Sequence, residues 1–339
     1  MQRIPSIEEL SEVVENAARR VAPRSTPCCS TQHAVLPDAA QGIEVSVVTV
    51  CFNPLKAGRR EVFRKNLDSV QAQEGVSLEH LIIDGASTDG TVEWLKAYRP
   101  ERHDLRILSL PDSGIYEAMN RGIALARGKY IIFLNSDDYF HNPHGMAASV
   151  ARIEALQCDF TFAPICFSSS KYHRHSQMEP QRRLYRFLIS WSFSHQSMLT
   201  MRSMLLKLDG FDITYRSAAD YDLLLRMIAN GSKGCFVPCT FTTFRLGGFS
   251  ADNKELAFEE CARSLQNFYR NFYETEMSHD EVAYILKHRI YPRKYLNIFK
   301  QSQQLIRERF IGIPNGPVAW LSRWFNYIKY YLKCLNTSL

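Results

Sequence analysis

The chain has 339 residues, of which 45% are hydrophobic and 22% are charged, and it carries a net charge of +6. This composition is typical of a globular protein with one large domain and appendages, or with two domains. No apolar run reaches the length of about 18 residues that a membrane-spanning helix needs, and residues 1–20 lack the apolar core of a signal peptide. Nine scattered cysteines argue against a disulfide framework. We therefore expect a cytoplasmic protein.

Residues 1–43 predict a leader that ends in a linker rich in helix and strand breakers. From Val45 onward, strands and helices alternate. Short apolar runs predict strands at residues 45–50, 81–83, 105–110 and 130–134. Helical spacing of apolar side chains predicts a helix containing Phe63, Leu67 and Val70, and further helices at 88–98 and 114–127. This order predicts an α/β fold whose mostly parallel sheet is flanked by helices.

The second half of the chain is less regular. Its patterns predict helices at residues 150–156 and 220–230, and strands at 160–167 and 196–200. We expect a main domain over residues 44–250, followed by a helical region rich in basic and aromatic residues over 251–339.

Polar side chains follow the predicted strands of the main domain. Thr49 to Asn53 close the first strand, and Asp84, Asp112 and Asn135 to Asp138 follow the next three. Each cluster alone also fits ordinary turn chemistry, because Asp and Asn are frequent in turns. In an open parallel sheet, however, ligands bind beyond the carboxyl ends of the strands. Several carboxylates there suit Mg²⁺ or Mn²⁺, which commonly bridge the phosphates of a substrate.

Two phosphate-binding signatures are missing from the sequence. It contains no GxxxxGK[ST] segment, and no GxGxxG follows the first strand. A phosphate-bearing substrate that is held by a metal without either loop points to a sugar nucleotide.

Five segments carry a resemblance to a known family: VSVVTVCFNP, LIIDGASTDGT, SLPDSGIYEAMNRGIALARGKYIIFLNSDD, SHQSML and GFDITYRSAADYDLLLRM. They resemble the family 2 inverting glycosyltransferases, and most of all the branch that builds bacterial capsule, exopolysaccharide and O-antigen (lipopolysaccharide) chains. The resemblance implies a GT-A fold, a divalent Mn²⁺ or Mg²⁺, and a nucleotide-diphosphate sugar donor. It further implies transfer of a hexosyl or N-acetylhexosaminyl group to a hydroxyl of a saccharide acceptor.

The resemblance also implies roles on the donor side. Asp137 would be the metal ligand, Asp138 would support it, and Asn135 would meet the ribose at a position where many relatives carry Asp. The remaining implied donor-binding residues are Thr49 and Asn53 at the end of the first strand, Asp84 at the nucleotide base, Asp112 in the loop over the nucleotide and Arg121 near the phosphates.

Asp220 opens the predicted helix ADYDLLLRM and matches the family's catalytic base. Such a base deprotonates the acceptor hydroxyl while that hydroxyl attacks the sugar. An acid is also favoured at the positive end of a helix, so a purely structural cap is the alternative. The resemblance further places His195 in the donor pocket, and Arg245, beside Gly247 and Gly248, near the diphosphate.

Residues 287–339 contain ten Lys and Arg and a single acid, Glu308. Aromatic residues such as Tyr291, Trp320 and Trp324 lie between them, a pattern typical of a peripheral contact with an anionic membrane surface. A lipid-linked acceptor at the cytoplasmic face of the inner membrane would suit such a contact. A basic face that packs on the protein body, or that contacts another subunit, is the alternative. No nucleic-acid recognition module accompanies the basic residues, so we expect no nucleic-acid partner.

Two other functions stay open at this point. A nucleotidyltransferase acting on sugar phosphates shares the sheet and the metal chemistry, although CFNPLKAGRR is a poor version of its basic, Gly-rich loop. A non-catalytic, glycosyltransferase-like assembly subunit is favoured by Asn135 and Ala219, where relatives commonly carry acids.

Overall fold

The structure is a computed structural model that describes residues 42–98, 104–168, 176–178, 188 and 194–313. The strands and helices in these ranges, in chain order, are β1 (Val45–Cys51), α1 (Arg60–Gln71), β2 (Leu78–Asp84), α2 (Thr91–Ala97), β3 (Asp104–Ser109), α3 (Ile115–Leu125), β4 (Tyr130–Phe133), β5 (Tyr139–Phe140), α4 (Gly145–Leu156), β6 (Phe160–Phe162), β7 (Ile165–Ser168), β8 (Ser176–Met178), β9 (Thr200–Met201), α5 (Arg202–Lys207), α6 (Ala219–Ala229), β10 (Gly234–Phe236), β11 (Thr242–Arg245), α7 (Phe249–Asp252), α8 (Lys254–Tyr273), α9 (His279–His288), α10 (Leu296–Arg309) and β12 (Phe310–Ile311). The chain divides into two compact units, the first comprising Met1–Tyr139 and Thr200–Arg216, and the second Phe140–Leu199 and Ser217–Leu339. The predicted domain boundaries at residues 43 and 250 stay a prediction.

The first unit is built on strands in the order β9-β4-β1-β2-β3. The pairs of β1 with β2, β1 with β4, and β2 with β3 are parallel, and β9 is antiparallel to β4. Every residue of β1, β2 and β4 is buried, as expected for strands of a parallel sheet that is covered on both faces. The predicted α/β fold with a mostly parallel sheet is therefore confirmed.

The helix predicted at residues 88–98 begins later, at Thr91. Asp89 accepts hydrogen bonds from the backbone N–H of Thr91 at 3.1 Å and of Lys56 at 2.8 Å, which holds residues 88–90 in a loop. Gly90 has a φ of 85°, in the left-handed region that ends or precedes a helix rather than continuing it. The predicted start was wrong because the loop is fixed by a contact to a distant segment.

The second unit contains the parallel strands β6, β10 and β12, and a second set in which β7 is parallel to β11 and antiparallel to β8. The single strand predicted at residues 160–167 was wrong, because it is divided into β6 and β7. Pro164 lies at the break and has no N–H to donate to a strand ladder.

The strand predicted at residues 196–200 was also wrong. His195–Ser197 form one 3-10 turn, and only Thr200 and Met201 are extended in β9. The Ser197 hydroxyl donates to the carbonyls of Ala163 and Ser194, so side-chain hydrogen bonds take the place of a strand ladder here.

The described part of the C-terminal region is helical, as predicted. Its aromatic side chains Tyr291, Phe299 and Phe310 are buried, whereas basic side chains such as Arg293 and Arg307 are exposed. Tyr291, Phe299 and Phe310 therefore belong to the core of the second unit, whereas Arg293 and Arg307 face solvent. The predicted leader up to residue 41 and the predicted tail from residue 314, with Trp320 and Trp324, lie outside the described residues. Among the described helices, none has both the length and the apolar character needed to cross a membrane.

Candidate functional site

In the first unit, the carboxyl ends of the parallel strands meet at one edge. The register aligns Cys51 of β1 with Asp84 of β2, and Asp84 with Ser109 of β3. Asp84 is fully buried. Its carboxylate accepts hydrogen bonds from the N–H and hydroxyl of Ser87, the hydroxyl of Ser109 and the thiol of Cys51. Burial, together with the charge of Asp84, raises the pKa of the Cys51 thiol, so this thiol stays protonated and donates. Asp84 therefore ties three strand ends together.

The turn after β1 is fastened to the loop after β2. The N–H of Asn53 donates to the Ser87 hydroxyl at 2.7 Å, and the Asn53 side-chain oxygen accepts the N–H of Thr88 at 2.8 Å. Asn53 has a φ of 47°, a left-handed conformation that Asn tolerates. The neighbouring Phe52 leaves 66% of its surface exposed. Sequence reasoning missed Phe52, because an aromatic residue at a strand end reads as core until its exposure is known.

Asp112 lies in the loop after β3 and is half-buried. One of its oxygens, Oδ1, accepts the N–H of Gly114 at 3.0 Å. The other, Oδ2, lies only 2.7 Å from the place where a Cβ on Gly85 would be. The strand ends thus bring Asp84, Gly85 and Asp112 together.

Arg121, which was expected near phosphate, instead holds the loop that carries Asp112. Its guanidinium donates to the carbonyls of Leu110 and Pro111 and pairs with Glu117 at 2.5 Å. Glu117 in turn accepts the N–H and hydroxyl of Ser113. In this geometry Arg121 positions the loop after β3.

The loop Asn135–Asp138 follows β4 and is held by helix α1. The Asn66 side chain donates to the carbonyls of Asn135 and Asp138 at 3.0 and 2.9 Å. Asp138 is fully buried, and the carboxylate of Asp137 pairs with Arg59 at 3.2 Å. The side-chain oxygen of Asn135 is buried and accepts no hydrogen bond from the described residues.

This loop can be tested for its fit to the divalent cation that the resemblance implies. Within the described residues, no group of three or more His, Cys, Asp and Glu side chains forms a metal cluster. The loop does supply the Asp137 carboxylate, which is 17% exposed, and the buried, unpartnered oxygen of Asn135. This set fits Mg²⁺ or Mn²⁺, because such ions often take one or two protein carboxylates and complete their shell with substrate phosphates.

The second unit holds an aspartate–histidine pair. Asp220 lies in the first turn of α6, and its Oδ2 is 3.0 Å from Nδ1 of His195 in the 3-10 turn. Both side chains are mostly buried, with 12% and 20% exposed. An ionised carboxylate only accepts hydrogen bonds, so Nδ1 carries the proton that is shared with it. The other ring nitrogen, Nε2, is buried and has no hydrogen-bond partner among the described residues. Sequence reasoning named both residues but did not foresee that they touch.

The surroundings of Asp220 are acidic. Glu260 of α8 accepts the N–H groups of Ser217 and Ala218, which precede α6. Burial raises the pKa of the neighbouring Cys261 thiol to about 12, with Asp220 and Glu260 adding to the shift. The thiol is thus protonated at neutral pH and adds no charge next to Asp220.

The last two predicted donor residues lie in different settings. Thr49 is fully buried, and its hydroxyl lies 2.9 Å from Nε2 of His80, so its side chain joins β1 to β2 inside the sheet and does not reach the edge. Arg245 is half-buried at the end of β11, just before Gly247 and Gly248, whose φ angles are 121° and 96°.

Comparison with known proteins relates this geometry to a family. Residues 46–209 match the family model for glycosyl transferase family 2. This segment, just under half of the chain, is therefore similar to the family 2 glycosyltransferases. The matched residues include the edge that gathers Asp84, Asp112 and Asp137, and also His195.

Relatives and solved structures agree with this match. The chain is 29% identical to an uncharacterized glycosyltransferase of Mycobacterium tuberculosis over 244 residues, which cover 67% of this chain and 85% of the relative. The fold is similar to that of TarS of S. aureus in complex with UDP-GlcNAc, with a TM-score of 0.54, 15% identity and coverage of 86% of this chain and 82% of the other. It is also similar to a mannosyltransferase of Pyrobaculum calidifontis in complex with GDP-Man and Mn²⁺, with a TM-score of 0.52, 14% identity and coverage of 97% and 96%. The central α/β architecture is thus that of the GT-A glycosyltransferases.

Proposed function

We propose that the protein is an inverting glycosyltransferase. It moves a hexosyl or N-acetylhexosaminyl group from a nucleotide-diphosphate sugar to a hydroxyl of a saccharide acceptor. The observation that carries the proposal is the loop after β4, which lies in the segment that matches the family model and offers the Asp137 carboxylate beside a buried, unpartnered oxygen of Asn135. Such a pair suits a cation and a hydroxyl-bearing ligand.

On the donor side, the exposed ring of Phe52 offers a face on which a nucleotide base can stack, since base–aromatic stacking is worth about 1–3 kcal/mol. The oxygen of Asn135 accepts a ribose hydroxyl or binds the cation. Asp137 would hold Mn²⁺ or Mg²⁺, which when bound neutralises charge on the leaving diphosphate. Arg59 is the cation that balances Asp137 in the structure.

On the acceptor side, Asp220 takes the proton of the attacking hydroxyl. The N–H of His195 fixes the orientation of the Asp220 carboxylate, and the N–H of Tyr221 donates to its second oxygen at 3.0 Å. Because Asp220 acts as a base and does not attack the sugar itself, no covalent intermediate forms. The single displacement by the acceptor hydroxyl inverts the anomeric centre.

A panel of nucleotide-diphosphate sugars tests the proposal. Thermal-shift measurements with UDP, GDP, dTDP and CDP, each with and without Mn²⁺, identify the nucleotide, because a ligand that binds only the folded state raises the melting temperature. Release of that nucleoside diphosphate from the matching sugar donors then reports turnover. Stabilisation by one nucleotide together with turnover of its sugar donor is expected. If no nucleotide stabilises the protein and no donor turns over, the proposal is overturned.

We also propose a lipid-linked acceptor and a peripheral position at the cytoplasmic face of the inner membrane. The support is the basic character of residues 287–339, which carry ten Lys and Arg against one acid. Exposed basic residues attract anionic lipid at about 1 kcal/mol each near the surface. Capsule, exopolysaccharide and lipopolysaccharide synthesis are the processes that fit such an acceptor.

The match to the family model favours the glycosyltransferase over the nucleotidyltransferase. The non-catalytic alternative is decided by the same turnover assay, because it allows nucleotide binding without release of product.

A further inference from the structure

The hydrogen-bond acceptor sites of the Asp84 carboxylate are occupied by donors of the protein itself. A carboxylate offers about four lone-pair sites, and each oxygen of Asp84 already accepts two hydrogen bonds, from Ser87 and Cys51 on Oδ1 and from Ser87 and Ser109 on Oδ2. The residue is also fully buried. A ligand could bind the Asp84 carboxylate only by displacing one of these donors.

Asp112, close to Asp84, has the opposite properties. Its Oδ1 accepts the N–H of Gly114, whereas no described residue donates a hydrogen bond to Oδ2. This oxygen lies where a side chain on residue 85 would begin, 2.7 Å from an ideal Cβ. Gly85 therefore makes room for the Asp112 carboxylate.

The loop that carries Asp112 is preorganised. Arg121 and Glu117 fix both sides of it through hydrogen bonds to Leu110, Pro111 and Ser113. Burial raises the pKa of Asp112, and the nearby carboxylates of Glu117 and Asp84 add to that shift, whereas the Gly114 N–H and Arg121 oppose it. The charge of the Asp112 carboxylate is thus only partly compensated by the protein. A hydrogen bond from a ligand would stabilise the charged form of this carboxylate.

We infer that Asp112, rather than Asp84, supplies the carboxylate that binds a hydrogen-bond donor of the nucleoside, and that Gly85 is required to make room for it. This inference rests on the proposed function, because it needs a nucleotide ligand. It assigns Asp84 to the scaffold and Asp112 to recognition.

A purely structural Asp112 would only accept the Gly114 N–H in its turn. Asparagine does this equally well, since its side-chain oxygen accepts the same hydrogen bond. Replacement of Asp112 by Asn therefore separates the two roles.

Calorimetric titration with UDP, GDP, dTDP and CDP, using whichever binds the wild-type protein most tightly, tests the inference. We expect Asp112→Ala to weaken binding about tenfold to a hundredfold, since a hydrogen bond to a charged group is lost. Asp112→Asn should weaken binding less, and Gly85→Ala should weaken it because its Cβ displaces the carboxylate. Asp68→Ala, which removes an exposed carboxylate of the same unit, is the matched control and should leave the affinity unchanged.

A relocated carboxylate gives a second, independent variant. Residue 85 is not in the left-handed region of backbone conformation, so it can carry a side chain once Asp112 is truncated. The double variant Gly85→Asp/Asp112→Ala places a carboxylate in the same space, and we expect it to regain part of the lost affinity. The melting temperature of each variant shows that it is folded.

Two analogues of the chosen nucleotide separate the possible donors. The 2′,3′-dideoxy analogue lacks the ribose hydroxyls, and the ring N-methylated analogue lacks the base N–H. The effect of Asp112→Ala should vanish with the analogue that lacks the group bound by Asp112.

Binding that is equally tight in the wild type, Asp112→Ala and Gly85→Ala overturns this inference and leaves the proposed function intact. Failure of the wild type to bind any of UDP, GDP, dTDP and CDP, together with no turnover of their sugar donors, overturns both.

Discussion

Replacing Asp220 by Asn removes a proton acceptor while preserving shape. In the structure Oδ2 lies 3.0 Å from the Nδ1 of His195, and an amide oxygen can still accept that hydrogen bond. The amide cannot take a proton from the acceptor hydroxyl, and general-base catalysis typically contributes about 10²–10⁴-fold. We therefore expect kcat to fall by about that factor, with nucleotide affinity nearly unchanged.

Replacing His195 should have a smaller effect, because its role is to position Asp220. Only 12% of the Asp220 side chain and 20% of the His195 side chain are exposed, so water screens their hydrogen bond little. Loss of a hydrogen bond to a charged group costs about 1.5–3 kcal/mol, which corresponds to roughly 10- to 150-fold in rate. His195→Ala should show this loss in kcat, and His195→Asn, whose side-chain N–H can replace Nδ1–H, should recover part of it.

The assay is donor turnover under saturating conditions, with nucleotide affinity measured separately by calorimetry. Asp222→Asn is the matched control, because Asp222 lies on the same helix two residues further on and pairs with Arg226 at 2.7 Å. Its kcat should stay close to that of the wild type. If Asp220→Asn weakens nucleotide binding as strongly as it slows turnover, or if His195→Asn is as slow as Asp220→Asn, Asp220 is not the base.

Three further predictions concern the cation, Asp112 and the basic surface. Arg59→Met frees Asp137 from an ion pair in which the Arg59 side chain is 37% exposed and the Asp137 side chain is 17% exposed. The affinity for Mn²⁺ in the absence of donor, measured by electron paramagnetic resonance, should rise about twofold to fivefold. An unchanged affinity would contradict a cation site at Asp137. Because burial raises the pKa of Asp112, its ionised form costs stability at neutral pH, and this cost fades as the pH falls through the raised pKa. Asp112→Asn should therefore raise the melting temperature at pH 7.5 and change it less at pH 4.5, whereas a lower melting temperature at pH 7.5 would show that Asp112 is a structural carboxylate. Finally, Arg293→Glu/Arg307→Glu should reduce the fraction of protein that sediments with vesicles containing phosphatidylglycerol. For the wild type, 0.5 M salt should reduce this fraction too, since salt screens contacts between basic side chains and anionic lipid. Vesicle binding that neither change affects would exclude the basic surface as the membrane contact.

The architecture of the first unit could be predicted because each buried strand is a continuous apolar run. Val45 to Val50 contain β-branched residues with a single Ser and Thr, and the whole of β1 is buried. Such a run has few other stable placements than the middle of a parallel sheet. The strand ends then had to meet at one edge, and this is how Asp84 and Asp112 came together.

The sequence does not predict which of these polar side chains hold the protein together and which are open to a ligand, because this depends on contacts between segments far apart in the chain. Asp84 is saturated by donors from β1, β3 and its own loop. Thr49 is buried against His80 instead of reaching the edge. Arg121 is turned back onto Leu110 and Pro111. A sequence pattern indicates which residues lie near a site, but not which of their oxygens and nitrogens are already in use.

The second unit was harder to predict because its strands are short and interrupted. Pro164 divides the strand predicted at residues 160–167 into two. The hydroxyl of Ser197 stabilises a turn where a second strand, at residues 196–200, was predicted. This same turn brings His195 to Asp220, so the error in secondary structure concealed the contact between two residues that had been singled out separately.

The most direct test of inverting transfer is the configuration of the sugar that is first released. Donor hydrolysis by the wild-type protein can be followed by ¹H NMR before the free sugar equilibrates, with Asp220→Asn as the inactive control. From an α-configured donor, a single displacement predicts that the β-anomer appears first. Initial release of the α-anomer would contradict the account, because it would require a second displacement or a nucleophile other than an Asp220-activated hydroxyl.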